Sequence, residues 1–390
     1  MRALVLCLWF LALPALAQRP AEPAVVLGAA MPQSGILADL GADLRKALLL
    51  WQEEMNAQGG LLGRRVELEL IDDRSESGDA VRHYDRLIRE TKAELLVGPL
   101  GSAASLGAAA AAERARHVLV NATGASRVVH KSGFRYVFQA AAPLGAWGAA
   151  ALELARAQGL KRVVLLARED PSSREMALRA KEEAAAAGVA TGDVEVYAQG
   201  EVDFAPLVAR ARAAGAEGWL AFGLPQDAAE MVKTFRKFGY APRLFVAQGA
   251  AQPEFISRVG QDAEYAVGLV AWDKRARTRG NAEFVQAYAR KWSSDPGATA
   301  VEGYAAAKLL EEAVRRSGSF DQEKLRETLA AMETETPLGA YKVERTGAQL
   351  AARPLLVQVQ RGRREIVWPE AHATAKLQPY PAWSERKLLK

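Results

Sequence analysis

Short apolar runs alternate along this chain with longer segments whose apolar residues recur every three or four positions. AVVLGAA (24–30) is followed by GADLRKALLLWQEEMNAQG, where Leu44, Ala47, Leu48 and Trp51 share one helical face. Gly59-Gly60 ends that helix, GLLGRR turns the chain, and VELELID reads as the next strand. The helix DAVRHYDRLIRE, the run ELLVGP, an alanine-rich helix after Ser102 and the run HVLVNA continue the alternation. Short apolar runs separated by helices predict an α/β unit with a parallel sheet covered on both faces.

The pattern then restarts. LGAWGAAALELARAQG, SSREMALRAKEEAAAAG, FAPLVARARAAG and DAAEMVKTFRKFG read as helices. Between and after them, KRVVLLA, DVEVYAQ, EGWLAFG, PRLFVAQG and YAVGLVAW read as strands. Three more helices follow (NAEFVQAYARKW, AVEGYAAAKLLEEAVRRSG and DQEKLRETLAAM), with strands in GAYKVER and PLLVQVQRGRREIVW. Two α/β units with extra helices and strands downstream predict two lobes that exchange chain more than once. Ligands of open α/β sheets sit at the carboxyl ends of the strands, so facing lobes would enclose a binding cleft and close on a hinge.

Composition narrows the class. A hydrophobic fraction of 50% and a charged fraction of 25% are ordinary for a globular chain of 390 residues. The net charge of +5 is spread among mixed-sign segments such as RAKEEAAAAG, with no basic stripe interleaved with aromatics, so no nucleic-acid partner is expected. Residues 1–17 read as a secretory signal peptide, with Arg2, an apolar stretch and the small-residue site Ala15-Leu16-Ala17. The one cysteine, Cys7, lies within it, so the mature chain must rely on its core without disulfides. The end of the chain, residues 370–390, reads as a loosely packed, solvated tail.

The stretch VGPLGSAAS (97–105) is where a strand breaks into a helix with small residues and a hydroxyl at the junction. It lacks the lysine of a phosphate loop, the third glycine of a dinucleotide fingerprint and the glycine spacing of a nucleophile elbow. Two readings remain for Ser102: a helix N-cap, or a share in anion binding by the free N–H groups of the helix start. His83, His117, His130 and His372 have no metal-ligand spacing, so no metal site is expected. Asp72-Asp73 could pair as acid and base, although a turn before the next helix suits them better. Trp51 reads as core.

Across nearly the whole chain to Trp368, the order of motifs resembles the type I periplasmic solute-binding proteins of ABC importers, in the leucine/isoleucine/valine-binding subgroup. The resemblance rests on MPQSGILADLGADLRKALLLWQEEMNAQGGLLGRRVELELIDD, VGPLGSAAS, VNATGASRVV, EVDFAPLVARARAAGAEGWLAFG and YAAAKLLEEAV. It implies two Rossmann-like lobes joined by a three-strand hinge, with the solute in the inter-lobe cleft. The implied boundaries are 24–142 plus 274–352 for the first lobe and 143–273 plus 353–369 for the second.

The resemblance also implies a site. The first lobe would grip a carboxylate through Ser102, a carbonyl at Gly124 and the hydroxyl of Ser126, because hydrogen bonds to a charged group are the strong ones. Family positions that stack on the ligand fall on Leu40, Ser172 and Leu224, another acidic position falls near Leu144 beside Trp147, and Leu40, Trp147 and Leu224 would contact the body of the ligand. The acid that takes an ammonium group falls on Gln248, which offers one acceptor and no charge. This predicts a small carboxylate with an apolar or aromatic body rather than an ordinary branched-chain amino acid. The expected protein is periplasmic and not an enzyme, without cofactor, a monomer that serves an inner-membrane ABC permease. A periplasmic ligand sensor and a binder of ordinary branched-chain amino acids are the alternatives.

Overall fold

A computed structural model describes residues 22–386. The signal-peptide expectation for residues 1–17, with Cys7, lies outside the described residues, as do residues 387–390. The first unit runs β1 (Val25–Met31), α1 (Ala38–Ala57), β2 (Val66–Asp72), α2 (Ala80–Arg89), β3 (Leu95–Val97), α3 (Ser102–Ala115), β4 (Leu119–Asn121), α4 (Val128–Lys131) and β5 (Val137–Gln139). Its strands form one sheet in the order β2-β1-β3-β4-β5, parallel throughout. Burial on both faces explains why β3, β4 and β5 are wholly buried and show no polar alternation. Sequence periodicity misses β5, whose three residues are too few to display a repeat.

The second unit runs α5 (Leu144–Ala157), β6 (Arg162–Arg168), α6 (Pro171–Ala187), β7 (Ala190–Thr191), β8 (Glu195–Tyr197), α7 (Ala205–Ala213), β9 (Gly218–Phe222), α8 (Pro225–Phe238), β10 (Leu244–Ala247), α9 (Pro253–Val259) and β11 (Val267–Val270). The chain then adds α10 (Asn281–Trp292), α11 (Ala298–Ser317), α12 (Gln322–Ala331), the small ladder of β12 (Thr334–Thr336) and β13 (Gly339–Tyr341), and finally β14 (Leu355–Gln360) and β15 (Arg363–Trp368). The second sheet has the order β15-β14-β11-β10-β9-β6-β7, with β8 also paired to β6. Its parallel part ends at β11, where β14 joins antiparallel and β15 folds back on β14 as a hairpin.

The cores show where the chain changes sides. Phe284, Tyr288, Leu309 and Leu325, from α10 to α12, join the core beneath the first sheet. Leu356 and Val367, from β14 and β15, join the core of the second. The chain therefore crosses between units three times, after β5, after β11 and after β13. Helix α11 is buried on nearly every side and packs on α1, where the Trp51 indole N–H donates to Glu311 Oε2 at 3.1 Å. Trp51 is core, as read.

The end of the chain is not a loose tail. Tyr380 is buried against Phe235 and Phe245, and Trp383 donates its indole N–H to the Tyr240 carbonyl at 2.8 Å. The Arg386 guanidinium lies 3.8 Å from the Trp383 ring centre and 4.3 Å from that of Tyr380, within cation–π range. Composition hides this, because the aromatics lie between prolines and charges without helical or strand spacing.

Candidate functional site

Adjacent strands put the residues of interest side by side. β3 and β4 are neighbours, so the segment after β3, which carries Ser102, faces the loop after β4, which carries Gly124 and Ser126. Ser102 is the first residue of α3, and the cap position belongs to Gly101 at φ 83°. The Ser102 hydroxyl makes no cap bond and instead accepts from the Ser126 N–H at 3.2 Å. Of the two readings of Ser102, simple N-capping falls away.

Behind this pair stands Asn121, fully buried at the end of β4. Its Oδ1 accepts from the Gly124 N–H at 3.0 Å and the Ser105 hydroxyl at 3.0 Å, and its Nδ2 donates to the Gly124 carbonyl at 2.8 Å. A side chain at position 124 would meet Ser105 Oγ at 2.5 Å and the Asn121 amide at 2.8 Å, so only glycine fits. The Gly124 carbonyl also accepts from Gln139 Nε2 at 3.3 Å. It is therefore turned inward, and Gly124 fixes the loop rather than presenting a free acceptor. Gln139 Oε1 in turn takes the Gln349 N–H at 3.2 Å, which ties the third crossover to the first.

The second unit reaches this loop through Glu175, on α6. Asp170 accepts from Ser173 N at 2.9 Å as N-cap of that helix, with Pro171 next, and the helix carries Glu175 across to the first unit. The Glu175 carboxylate lies beside the Ser126 hydroxyl and the Arg127 N–H, which favour its charged form. Burial pushes its pKa up, against the pull of those groups and of the Arg127 and Lys131 charges, and Oε1 is buried without a hydrogen-bond partner among the described residues. Ser172, three residues earlier on the same helix, is exposed.

Leu224 and Gln248 follow the neighbouring strands β9 and β10, so their ends lie together on the second unit. Leu224 is 40% exposed, and its N–H is held at 2.8 Å by the buried Asp227. Asp227 also meets Tyr197 Oη at 3.3 Å and Arg168 Nε at 3.8 Å. Gln248 is half-buried and begins a single 3₁₀ turn.

Leu40, 44% exposed, follows the β1–α1 loop, which Asp72 pins through Gln33 N at 2.8 Å, Ser34 N at 3.2 Å and Ser34 Oγ at 2.8 Å. Burial raises the Asp72 pKa, but the bonds from Arg74, Gln33 and Ser34 outweigh it and hold the carboxyl at about 2. Asp73 accepts from Ser75 N at 2.9 Å. Both acids thus serve loops, as the turn reading of this pair has it.

Trp147, on α5, walls a small cavity of about 30 Å³ between the units, next to Ala125 of the Gly124–Ser126 loop. Ala142, Ala271 and Ala352, one from each crossover, complete much of the wall, and Glu302 of α11 supplies its carboxylate. Glu302 has no hydrogen bond or ion pair among the described residues, and burial alone pushes its pKa up to about 8. The Trp147 indole N–H is likewise buried without a partner. Arg353 borders the cavity too, with its guanidinium bonded to the Leu350 and Ala352 carbonyls at 2.7 and 3.1 Å. Leu40, Ser172, Leu224 and Gln248 do not line this cavity.

Sequence reasoning missed Asn121, Gln139, Glu175 and Glu302. A signal existed for Glu302, a lone acid in the apolar stretch ATAVEGYAAAKLL of a helix buried on nearly all sides. His117 and His130 are buried, with pKa values lowered chiefly by that burial. Among the described residues no group of three His, Cys, Asp or Glu is placed to hold a metal ion.

Comparison with known proteins adds the following. Residues 24–364 match the family described as periplasmic binding protein. An amino acid binding protein of Pseudomonas aeruginosa is 25% identical over 325 residues, covering 83% of this chain and 87% of its own length. The leucine binding protein LivK of Thermotoga maritima superposes with a TM-score of 0.68 at 24% identity, over 88% of this chain and 98% of that one. A solute binding protein of an ABC transporter from R. palustris, solved with benzoate, gives a TM-score of 0.67 at 20% identity, over 90% and 98% of the two chains.

Proposed function

This chain belongs to the periplasmic binding protein family, whose members bind solutes, and from that premise we propose that it captures a small carboxylate-bearing solute for an inner-membrane ABC permease. The lobes in this reading are residues 24–142 with 274–352 and residues 143–273 with 353–369, and the solute lies between them. Ser102 and Ser126 receive its carboxylate on a loop fixed by Gly124. Trp147 and Leu224 contact its body, with Leu40 and Ser172 at the mouth of the cleft. The protein works as a monomer without catalysis.

One observation carries this reading. The Ser126 hydroxyl and the Arg127 N–H already face a carboxylate, that of Glu175, and favour its charged form. A pair of donors that accommodates an internal carboxylate suits an external one, and a charge-assisted bond of this kind is worth about 1.5–3 kcal/mol. The solute takes the place of Glu175, and the lobes close as far as the solute favours the closed form. Gln248 offers no charge, so the end of β10 does not hold a cationic group.

The test is a thermal-shift screen of acids against their uncharged counterparts, such as benzoate against benzamide and 4-methylpentanoate against its amide. A ligand that binds only the folded state raises the melting temperature by mass action. Acids are expected to raise it and their amides are not. Equal shifts for each pair would show that no carboxylate is being read.

A further inference from the structure

We propose that Glu302 is the counter-group for a protonated amine of the solute, so that the half-buried carboxylate of α11, and not the end of β10, confers preference for amine-bearing ligands. This rests on the reading that the inter-lobe cleft is the solute site.

Three features of the cavity lead there. The first is its size: about 30 Å³ exceeds the 10–15 Å³ or so that one water needs and falls far short of a whole amino acid. An ammonium is a group of that size, and the remainder of the solute would lie outward, toward Ser126, once the lobes part. Ala125, which lines the cavity, is the residue before Ser126, so the two subsites adjoin.

The second feature is the carboxylate itself. Glu302 is half-buried, and an acid drawn away from water without a partner is costly when charged, because the interior cannot replace the water it loses. The acidic and basic groups at the cavity leave Glu302 unmatched. Arg353 is bonded to two backbone carbonyls, and Glu175, from the facing α6, lies beside the Ser126–Arg127 segment. An incoming cation supplies the missing charge, which is why the site would select it.

The third feature is the rest of the wall. Alanines from the three crossovers together with Leu338 exclude water from the pair, which strengthens it. The unpartnered Trp147 N–H needs an acceptor, and none of the alanine and leucine side chains around it provides one. A solute carrying an acceptor beside its amine satisfies Glu302 and Trp147 together.

Isothermal titration with matched pairs tests this: leucine against 4-methylpentanoate, phenylalanine against 3-phenylpropanoate, and the remaining proteinogenic amino acids as a panel. The wild-type chain should bind the amine-bearing member of a pair at least tenfold more tightly. Glu302→Gln should abolish that preference while leaving the affinity for the deaminated acid unchanged, which also shows that the variant is folded. Trp147→Phe should weaken the amine-bearing member several-fold. A deaminated acid that binds the wild type as tightly as its amine overturns the proposal, as does a preference that survives Glu302→Gln. Failure of every amine-bearing probe to bind overturns it as well. If the preference tracks Glu302 but Ser102→Ala and Ser126→Ala change no affinity, the carboxylate reading falls and the amine subsite stands.

Discussion

The carboxylate of Glu175, on one unit, faces the hydroxyl of Ser126, on the other, which favours its charged form. Its charge stands beside the donors assigned to the solute. Glu175→Gln removes the competing charge, so carboxylate solutes should bind several-fold more tightly. Titration of benzoate or an amino acid into both forms measures it. Equal or weaker binding by the variant would mean that Glu175 stays in place when the solute arrives.

Ser102 and Ser126 should matter to affinity far more than to stability. The Ser102 hydroxyl closes no helix cap, the Ser126 hydroxyl takes only a long bond from the Val128 N–H at 3.4 Å, and each would donate to a charged group on binding. Loss of one such bond, about 1.5–3 kcal/mol, corresponds to about 10- to 100-fold in the dissociation constant. Calorimetry on Ser102→Ala and Ser126→Ala checks the affinity, and a melting curve that barely moves checks the stability.

Asn121→Leu should do the reverse and unfold the protein more readily. It strips the Gly124 N–H of its acceptor and removes partners from the Gly124 carbonyl and Ser105, all in the interior. One or two groups left without partners cost about 2–4 kcal/mol in total. Urea denaturation reads this as a lower midpoint with an unchanged slope.

Glu302 makes stability depend on pH in a definite direction. Its pKa of about 8 lies above the ordinary carboxyl value of 4.5, so between those values the folded form holds a proton that the unfolded form has released. Stability contributed by Glu302 is complete below about pH 4.5 and falls as pH rises through about 8. Glu302→Gln should therefore be the more stable form at about pH 8.5 and match the wild type near pH 4. Denaturation curves at both values test it, and an amine-bearing ligand should narrow the difference at high pH.

Asp72 acts with the opposite sign. Its folded pKa of about 2 lies below the ordinary 3.8, so its contribution is complete above about pH 4 and disappears as pH falls through 2. The bonds lost are those that hold Gln33 and Ser34. Hydrogen exchange at these two amides should quicken in Asp72→Asn at neutral pH, while the β1 amides stay protected.

Much of the fold is legible in the residue pattern because buried parallel strands and amphipathic helices differ in period, and here both periods run long enough to count. β5 and β7 are too short for that, and the end of the chain packs through Tyr380, Trp383 and Arg386, whose spacing follows no repeat. The site divides the same way. Ser102 and Ser126 stand at strand ends within recognisable motifs, and the sheet order brings them together. Glu175 and Glu302 sit mid-helix, and their importance depends on which element faces them across the cleft. No local pattern encodes that.

The hairpin of β14 and β15 constrains the order of assembly. It completes a sheet whose other strands begin nearly two hundred residues earlier, and α10 to α12 complete a core begun by β1. Contacts so distant in sequence form slowly, because a long loop must close before any of them stabilises the chain. Neither half can mature by itself as the chain emerges. The nascent protein therefore stays incomplete until residues near 368 are available, and the two halves reach their native form together.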